Sequence, residues 1–276
     1  MVSVPSDAQH AQVGETIRSL RDRLRDAEGG SRPTAGDARS VPFGLPDIDA
    51  ALPDGGLRSG ALHELLASGV SGAGAPGSAD APVALLAHLA SCAHQPAAAR
   101  AIAWIGPNVF PSVWTLRAVR ADLSAHLLID ARRADDRLWA SDLALRSAAI
   151  SCVIADGSSF DSAATRRLQL AAESTGALCL LARPGRERAE LSTAATRWLI
   201  EPAVSPHHSC ARWTVRLLRC KGLRPTTHLN AWTVDIPHAP RDGRVSSILR
   251  DGPALARTAP IEPERRDLPE RTLRFG

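Results

Sequence analysis

The sequence predicts an α/β protein with a mostly parallel central sheet that is flanked by helices. Short apolar segments alternate with helical segments between residues 101 and 182, an order typical of right-handed crossovers between parallel strands. Three further apolar segments then follow one another through loops, which favours antiparallel strands at one edge of the sheet. The chain has 276 residues, 44% of them hydrophobic, enough for one large domain with a substantial core.

The individual elements follow from these patterns. A short helix near residues 46–52 precedes the first strand, which begins after Gly60 and leads into a glycine-rich loop. The next helix opens near Asp80, with Pro82 in its first turn. The later predicted strands of the parallel part are 101–105, 127–130, 150–155 and 177–182, with helices near 111–122, 136–148 and 161–174. The predicted antiparallel strands are 194–200, 213–219 and 231–236.

Residues 1–40 are predicted to form an amphipathic helix followed by a flexible linker. Charged residues surround a narrow apolar stripe at helical spacing, which consists of Val13, Ile17, Leu20 and Leu24. The glycine-containing segment 29–40 is typical of a linker. The stripe is therefore a candidate partner interface, and packing against its own domain is the alternative.

Residues 237–276 are predicted to be disordered in isolation. They are rich in Pro, Arg, Asp and Glu, and their few apolar side chains bury too little surface to order the segment. Short apolar groups set among arginines, at 245–250 and 272–275, suit docking on a partner. Between the two terminal regions, residues 41–236 form the predicted core.

Composition limits the compartment and the partners. The formal net charge of +4 and a sequence pI of about 9.1 allow contact with nucleic acid or an acidic partner without requiring it. Five cysteines without a C-x-x-C pair predict reduced thiols in a cytoplasmic protein. No segment has the apolar length of a membrane span. The patch His207-His208-Ser-Cys210 lacks a second pair of ligands, so no metal site is predicted.

The glycine-rich loop lies where a phosphate-binding loop would lie. A working P-loop reads Gly-x4-Gly-Lys-Ser/Thr, because its lysine neutralises the outer phosphates and its hydroxyl holds magnesium. The glycines are present, but no Lys or Arg lies between residues 69 and 82. We therefore expect a vestigial nucleotide loop that holds no cofactor, formed by Gly69, Gly72, Gly74 and Gly77.

The same glycines allow a second interpretation. Gly72, Gly74 and Gly77 match the dinucleotide-binding pattern Gly-x-Gly-x-x-Gly. That pattern requires an acidic residue about 20 residues further on. No Asp or Glu lies between Asp80 and Asp122, so we attribute the match to chance in a loop rich in glycine.

The segment before the loop carries a family resemblance. It contains Gly44-Leu-Pro-x-Ile-Asp-x-x-Leu52, then Gly55-Gly-Leu57, then Gly60-x-Leu-x-Glu-Leu65. This order resembles the start of RecA-type recombinase cores, and the resemblance extends over roughly residues 43–236. Because the loop lysine is missing, the chain is most similar to the ImuA family, the RecA-like accessory proteins of bacterial mutagenesis cassettes.

The resemblance assigns expectations to particular residues. Asp156 ends an apolar segment like a Walker B carboxylate, although a turn-capping role with Gly157 and Ser158 is favoured. Asn108 lies where recombinases keep the glutamate that activates water, and an amide cannot accept that proton. A candidate DNA-binding loop carries Arg183, Arg186 and Arg188. Solvated surface is the alternative for this loop.

Arg219 and Lys221 complete the candidate partner interface. They leave the end of a predicted strand one residue apart, so both side chains point to the same side. Their spacing resembles the lysine pair that recombinase protomers extend towards the ATP of the neighbouring protomer. Lys221 is the only lysine of the chain.

The resemblance implies a function as well as a fold. We expect a non-catalytic RecA-like adaptor in SOS-induced translesion DNA synthesis. Its implied partners are an ImuB-type Y-family-like protein, RecA, an error-prone polymerase and possibly DNA. The alternatives are an ATPase with a non-standard nucleotide site and a scaffold that makes no contact with DNA.

Overall fold

The computed structural model describes residues 40–68, 81–94, 100–205, 210–223 and 231–237, and the backbone of 246–249. The described strands are β1 (Ser40–Val41), β2 (Leu57–Arg58), β3 (Leu62–Ala67), β4 (Ala101–Ile105), β5 (His126–Ile129), β6 (Ile150–Asp156), β7 (Leu178–Pro184), β8 (Thr196–Ala203), β9 (Cys210–Cys220), β10 (Ala231–Pro237) and β11 (Ser246–Leu249). The described α-helices are α1 (Pro46–Ala51), α2 (Val83–Ala93), α3 (Val113–Ala118), α4 (Ala134–Leu145) and α5 (Ser162–Thr175).

The strands form a mixed sheet with a parallel part and an antiparallel part. In the described residues the order is β5-β4-β6-β7-β3-β8-β9-β10-β11, and β1 pairs with β2 in a separate two-stranded ribbon. The first six strands in this order, β5-β4-β6-β7-β3-β8, run parallel to one another. The other three, β9, β10 and β11, are antiparallel to their neighbours. The predicted fold class, a RecA-like α/β core with antiparallel strands at one edge, is confirmed.

Helices cover both faces of the sheet and bury a core on each side. One core contains α2 together with Trp104, Trp198 and Trp232, which are all at most 1% exposed. The other core contains side chains of α4 and α5. Successive side chains of a strand point to opposite faces of the sheet. In β6, Ile154 therefore lies in the first core and Val153 in the second. The strands buried on both faces are the continuous apolar segments of the sequence.

The segment that carries the family resemblance is fastened to the first core. The carboxylate of Asp49 accepts hydrogen bonds from the backbone N–H groups of Phe43 and Gly44 at 2.5 and 3.1 Å. The Phe43 ring lies 5.2 Å from the ring of Trp198, centroid to centroid. His88 Nε2 donates to the carbonyl oxygen of Phe43 at 2.9 Å. The segment therefore links α1, α2 and the β8 side of the sheet.

Two edges of the parallel part matter for function. The strands β3, β4, β6 and β7 all end at one edge, which we call the carboxyl edge. Ligands of open α/β sheets bind at such an edge. The opposite edge, where these strands begin, is the amino edge, and the antiparallel β9 ends there beside the start of β8.

Two details differ from the sequence prediction. Helix α2 begins at Val83 with Pro82 as its N-cap, while Asp80 lies outside the described residues. A strand, Ser246–Leu249, pairs with β10 within the segment predicted to be disordered. Pairing with β10 orders these residues through backbone hydrogen bonds, which composition does not reveal. In the part of the chain that the structure describes, no helix has the length and apolar character to cross a membrane.

Candidate functional site

The carboxylate of Asp156 forms the centre of the carboxyl edge. It is 4% exposed and lies at the end of β6. The backbone N–H of Ser158 donates to its Oδ1 at 3.0 Å. The amide Nδ2 of Asn108 donates to its Oδ2 at 2.8 Å, and Arg137 Nε lies 3.8 Å from that oxygen. Both carboxylate oxygens therefore have protein partners, and the contact with Ser158 is the turn-capping role that the sequence favours.

The amide of Asn108 faces Asp156 as a hydrogen-bond donor. A carboxylate carries only acceptors, so the nitrogen of the amide, and not its oxygen, points towards it. Asn108 lies in the short turn that follows the carboxyl end of β4, and β4 pairs with β6. At the position where the family resemblance expects a water-activating carboxylate, the chain thus has a side chain that stabilises a neighbouring carboxylate.

Arg137 is a site residue that sequence reasoning missed. Its guanidinium is buried and donates to the carbonyl oxygens of Asp156, Arg132 and Ser158 at 2.8, 2.5 and 3.0 Å. A Cβ at Gly106, whose φ is +94°, would lie 2.7 Å from Arg137 Cδ, so only glycine leaves room for the arginine. Gly106 is the one signal in the sequence, and it does not reveal which arginine fills the space.

A cavity of about 240 Å³ opens beside this cluster. Its described lining includes Ala67 and Ala81, which flank the undescribed glycine-rich loop, and also Asn108, Asp156 and Arg186. A magnesium nucleotide needs a free carboxylate for the metal's shell and a cation for the outer phosphates. Both oxygens of Asp156 accept hydrogen bonds within the protein and the loop lacks lysine, so Arg186 is the cation that the described lining offers.

Arg183, predicted to contact DNA, is buried and only 2% exposed. It donates to Glu64 Oε1 and Glu187 Oε2, both at 2.9 Å, and to the carbonyl oxygen of Phe160 at 2.8 Å. A phosphate cannot reach a guanidinium in this position, so this part of the prediction is corrected. The alternation of β7 turns Arg183 towards the α5 face of the sheet.

Glu64 links three strands through a buried ion cluster that the sequence did not reveal. The residue is 0% exposed, and its two oxygens accept from Arg183 Nη1 at 2.9 Å and from Arg197 Nε at 2.6 Å. Ser192 Oγ donates to Glu64 as well, at 2.6 Å. The three charged side chains come from β3, β7 and β8; in the sheet β3 lies between the other two, although it precedes them by more than a hundred residues.

The ion cluster holds a short 3-10 turn, Gly185–Ala189, at the carboxyl edge. Arg197 donates to the carbonyl oxygens of Glu187 and Arg188. The Glu187 side chain turns inward, where it accepts from Arg183 and from the backbone N–H of Ser159. Arg186 and Arg188 are exposed. The turn therefore presents two cations outward on a fixed backbone.

Comparison with known proteins identifies the family. Protein ImuA of Caulobacter vibrioides strain NA1000 / CB15N is 30% identical over 237 residues, which cover 79% of this chain and 93% of that protein. Protein ImuA of strain ATCC 19089 / CIP 103742 / CB 15 matches to the same extent. The chain belongs to the ImuA family. No family model matches it. Membership in the ImuA family connects the protein with bacterial mutagenesis cassettes and their DNA-damage context.

In this ImuA-family chain, Arg219 and Lys221 lie at the amino edge, and both contact the segment 192–194. Arg219 Nη2 donates to the carbonyl oxygens of Ser192 and Ala194, and Lys221 Nζ donates to that of Thr193. Both residues are exposed. Their contact with a partner stays a prediction.

The other predicted site residues of the ImuA-family chain lie outside the described residues. They are the loop glycines Gly69, Gly72, Gly74 and Gly77 and the apolar stripe Val13, Ile17, Leu20 and Leu24. The patch around His207 and His208 is also outside them. Within the described ranges, no group of three or more His, Cys, Asp or Glu side chains is placed to hold a metal ion.

Proposed function

We propose that this ImuA-family protein is a non-catalytic RecA-like adaptor in SOS-induced translesion DNA synthesis. It bridges an ImuB-type Y-family-like protein, RecA and an error-prone polymerase in the cytoplasm, and it contacts DNA. The observation that carries the non-catalytic part is the Asp156 cluster, in which Asn108, Ser158 and Arg137 occupy the carboxylate that a nucleotide-bound metal would need.

The purified protein is expected to hydrolyse no ATP above background. The loop lacks a cation, Asn108 cannot act as a base, and the Asp156 oxygens are bonded within the protein. Phosphate release with ATP and magnesium measures this, and Asp156→Ala should give the same residual rate. Turnover that survives repeated purification and is lost in Asp156→Ala would favour the alternative, an ATPase with a non-standard site.

Nucleotide binding without turnover is tested separately by thermal unfolding. A ligand that binds only the folded state raises the unfolding midpoint, by an amount that grows with its concentration. We expect ATP with magnesium to leave the midpoint of this protein unchanged. A rise that saturates with ATP would show that the protein binds nucleotide, and it would contradict the expectation that the loop holds no cofactor.

The turn Gly185–Ala189 is the proposed DNA contact. Its exposed Arg186 and Arg188 can each release counterions on binding a phosphate, which weakens binding as salt rises. For single-stranded DNA, each lost contact lowers the slope of log K against log salt by about 0.7. We expect Arg186→Gln and Arg188→Gln each to lower the slope by about that amount.

A charge-matched control makes the DNA experiment specific. Arg146 is half exposed near the amino-edge end of α4, so Arg146→Gln removes one charge away from the turn. We expect this variant to keep the full salt dependence. Equal slopes in the wild type and both turn variants would support the third alternative, a scaffold whose turn makes no contact with DNA.

The amino edge and the N-terminal stripe are the proposed partner surfaces. We expect the double variant Arg219→Ala with Lys221→Ala to weaken association with ATP-loaded RecA about fivefold or more, since two exposed charges are lost. Removal of residues 1–40 should reduce co-purification with the ImuB-type protein. Arg132→Ala, a highly exposed arginine of the carboxyl edge, serves as the control. Unchanged RecA affinity in a double variant of normal thermal midpoint would remove Arg219 and Lys221 from the interface.

A further inference from the structure

Three arginine side chains from three separate elements lie near enough to Lys221 for their charges to act on its amine. Arg58 comes from β2, Arg166 from α5, and Arg219 and Lys221 from the end of β9. All four are exposed. We call them the amino-edge cluster.

Successive carbonyl groups hold two members of this cluster side by side. Arg219 Nη2 donates to the carbonyl oxygens of Ser192 at 2.9 Å and Ala194 at 2.7 Å. Lys221 Nζ donates to the carbonyl oxygen of Thr193, which lies between them, at 2.5 Å. The Lys221 backbone N–H also donates to the carbonyl oxygen of Ala195 at 2.8 Å, so the lysine has a fixed position.

The other two members are brought close by contacts of their neighbours. The backbone N–H of Thr193 donates to Thr165 Oγ1 at 3.5 Å, which places the adjacent Arg166 beside the same segment. Arg58 accepts, through its carbonyl oxygen, a hydrogen bond from His63, whose other ring nitrogen faces Thr196. Thr196 pairs with Cys220, the residue before Lys221.

The charges around the lysine are unbalanced. Burial lowers the pKa of the Lys221 amine, and the positive charges of Arg219, Arg166 and Arg58 lower it further. Among the described residues, the carboxylate of Glu173 acts in the opposite direction, and one of its oxygens accepts from Gln169 Nε2 at 2.8 Å. A larger fraction of this amine is therefore neutral, and nucleophilic, than for an ordinary surface lysine.

We propose that Lys221 is a modification site at which the amino-edge cluster binds the phosphate of an acyl phosphate and the lysine amine takes its acyl group. The arginine side chains offer planar donors that match phosphate oxygens. The neutral amine can keep one N–H bonded to Thr193 while its lone pair points to the acyl carbon. This site shares Arg219 and Lys221 with the proposed RecA surface, but its test does not require RecA.

The reaction balances without a further reactant. The lone pair of Lys221 Nζ forms the new C–N bond to the acyl carbon, and the bond from that carbon to the phosphate oxygen breaks. The Lys221 ammonium releases one proton to solvent before the attack, and the inorganic phosphate that leaves with the bonding electron pair takes up the second proton that the nitrogen loses. The guanidinium groups that bound the phosphate also stabilise the charge that it gains on leaving. The product amide is neutral, so the cluster loses one positive charge.

A thioester would not gain the same advantage from the cluster. Its leaving group is a thiolate, which presents no phosphate oxygens to Arg58 or Arg166 at the reacting centre. Comparing an acyl phosphate with a thioester that lacks phosphate therefore separates binding by the cluster from simple reactivity of the amine. Any change in amine pKa affects both reagents equally.

The test measures acetylation of Lys221 by mass spectrometry in the full chain. Acetyl phosphate is one reagent, and the thioester S-acetyl-N-acetylcysteamine is the other. Because Lys221 is the only lysine, its acetylated peptide is read without interference from other lysines. The same chain unfolded in urea gives the rate of this lysine without the cluster. We expect acetyl phosphate to label the folded chain faster than the unfolded chain, and inorganic phosphate to compete.

Two variants complete the experiment. In Arg58→Gln and in Arg166→Gln, the rate with acetyl phosphate relative to that with the thioester should fall about two- to fivefold, the size of one exposed ionic contact. Both side chains are exposed, so the thermal midpoint should not change. Labelling of the folded chain no faster than of the unfolded chain, or an unchanged ratio in both variants, would overturn the proposal.

Discussion

Glu64→Gln is expected to lower the free energy of unfolding by about 3–5 kcal/mol, the cost of breaking a buried ion pair by removing one partner. Glutamine keeps the size of the side chain but removes the charge that Arg183 and Arg197 share. Both arginines are less than 10% exposed, so water cannot replace the lost carboxylate. Urea unfolding at neutral pH measures the change.

The matched control is Glu173→Gln on the outer side of α5. Its carboxylate is exposed, and we expect a change within about 0.5 kcal/mol. If Glu64→Gln cost as little as this control, the three charges would not act as a cluster. Loss of Glu64 should also loosen the turn Gly185–Ala189, because Arg183 and Arg197 bond to it. Faster hydrogen exchange at that turn in the variant measures this effect.

Acid is expected to destabilise the protein through His63 well above the range where carboxylates titrate. Burial lowers the pKa of His63 from 6.5 to about 4. Its Nε2 donates to the carbonyl oxygen of Arg58, while its Nδ1 accepts from Thr196 Oγ1, which in turn accepts from Trp198 Nε1. This arrangement suits only the neutral ring.

The sign of the pH effect follows from these two pKa values. Between pH 6.5 and about pH 4, His63 is protonated in the unfolded chain but stays neutral in the folded chain. The contribution of His63 to stability is therefore complete above pH 6.5 and is lost as the pH falls towards 4. The loss amounts to about 3 kcal/mol over the whole interval.

Urea unfolding at pH 7.5, 6 and 5 measures how the free energy of unfolding changes with pH, and His63→Gln is the comparison. The variant should lose most of the pH dependence in this window. Burial also lowers the pKa of His88, so a smaller slope of the same sign should remain. If the free energy of unfolding changed with pH by the same amount in the wild type and in His63→Gln, His63 would not be the cause of the acid destabilisation.

Periodicity and order along the chain predicted most of the elements. Helices predicted near 136–148 and 161–174 are α4, Ala134–Leu145, and α5, Ser162–Thr175. The signal of α5 is local, because the Asp161 side chain accepts from the N–H of Ala164, and the helix ends at Gly176 with φ +75°. Strand 246–249 was missed because its order depends on pairing with β10, which is a non-local contact.

The carboxyl-edge site could be predicted only where its chemistry depends on the identity of single residues. The missing loop lysine and the amide at Asn108 are visible in the sequence, and both motivate the proposal that the protein is non-catalytic. The contacts of Asn108 and Arg137 with Asp156 are not visible, since they join segments that are 48 and 19 residues apart. Many arginines in the chain are equal candidates for such a contact until the strands are placed side by side.

The sequence by itself determined that the chain is an α/β protein, that it resembles the ImuA family and that it lacks a lysine in the glycine-rich loop, because these properties depend on local pattern and residue type. The tertiary structure alone decided which arginines are available. Arg183 and Arg186 are three residues apart in one predicted loop. The alternation of β7 and the position of Glu64 on β3 bury Arg183 and leave Arg186 in solvent. Burial is a property of neighbours in space, and those neighbours can lie far apart along the chain, as Glu64 and Arg183 do at a separation of 119.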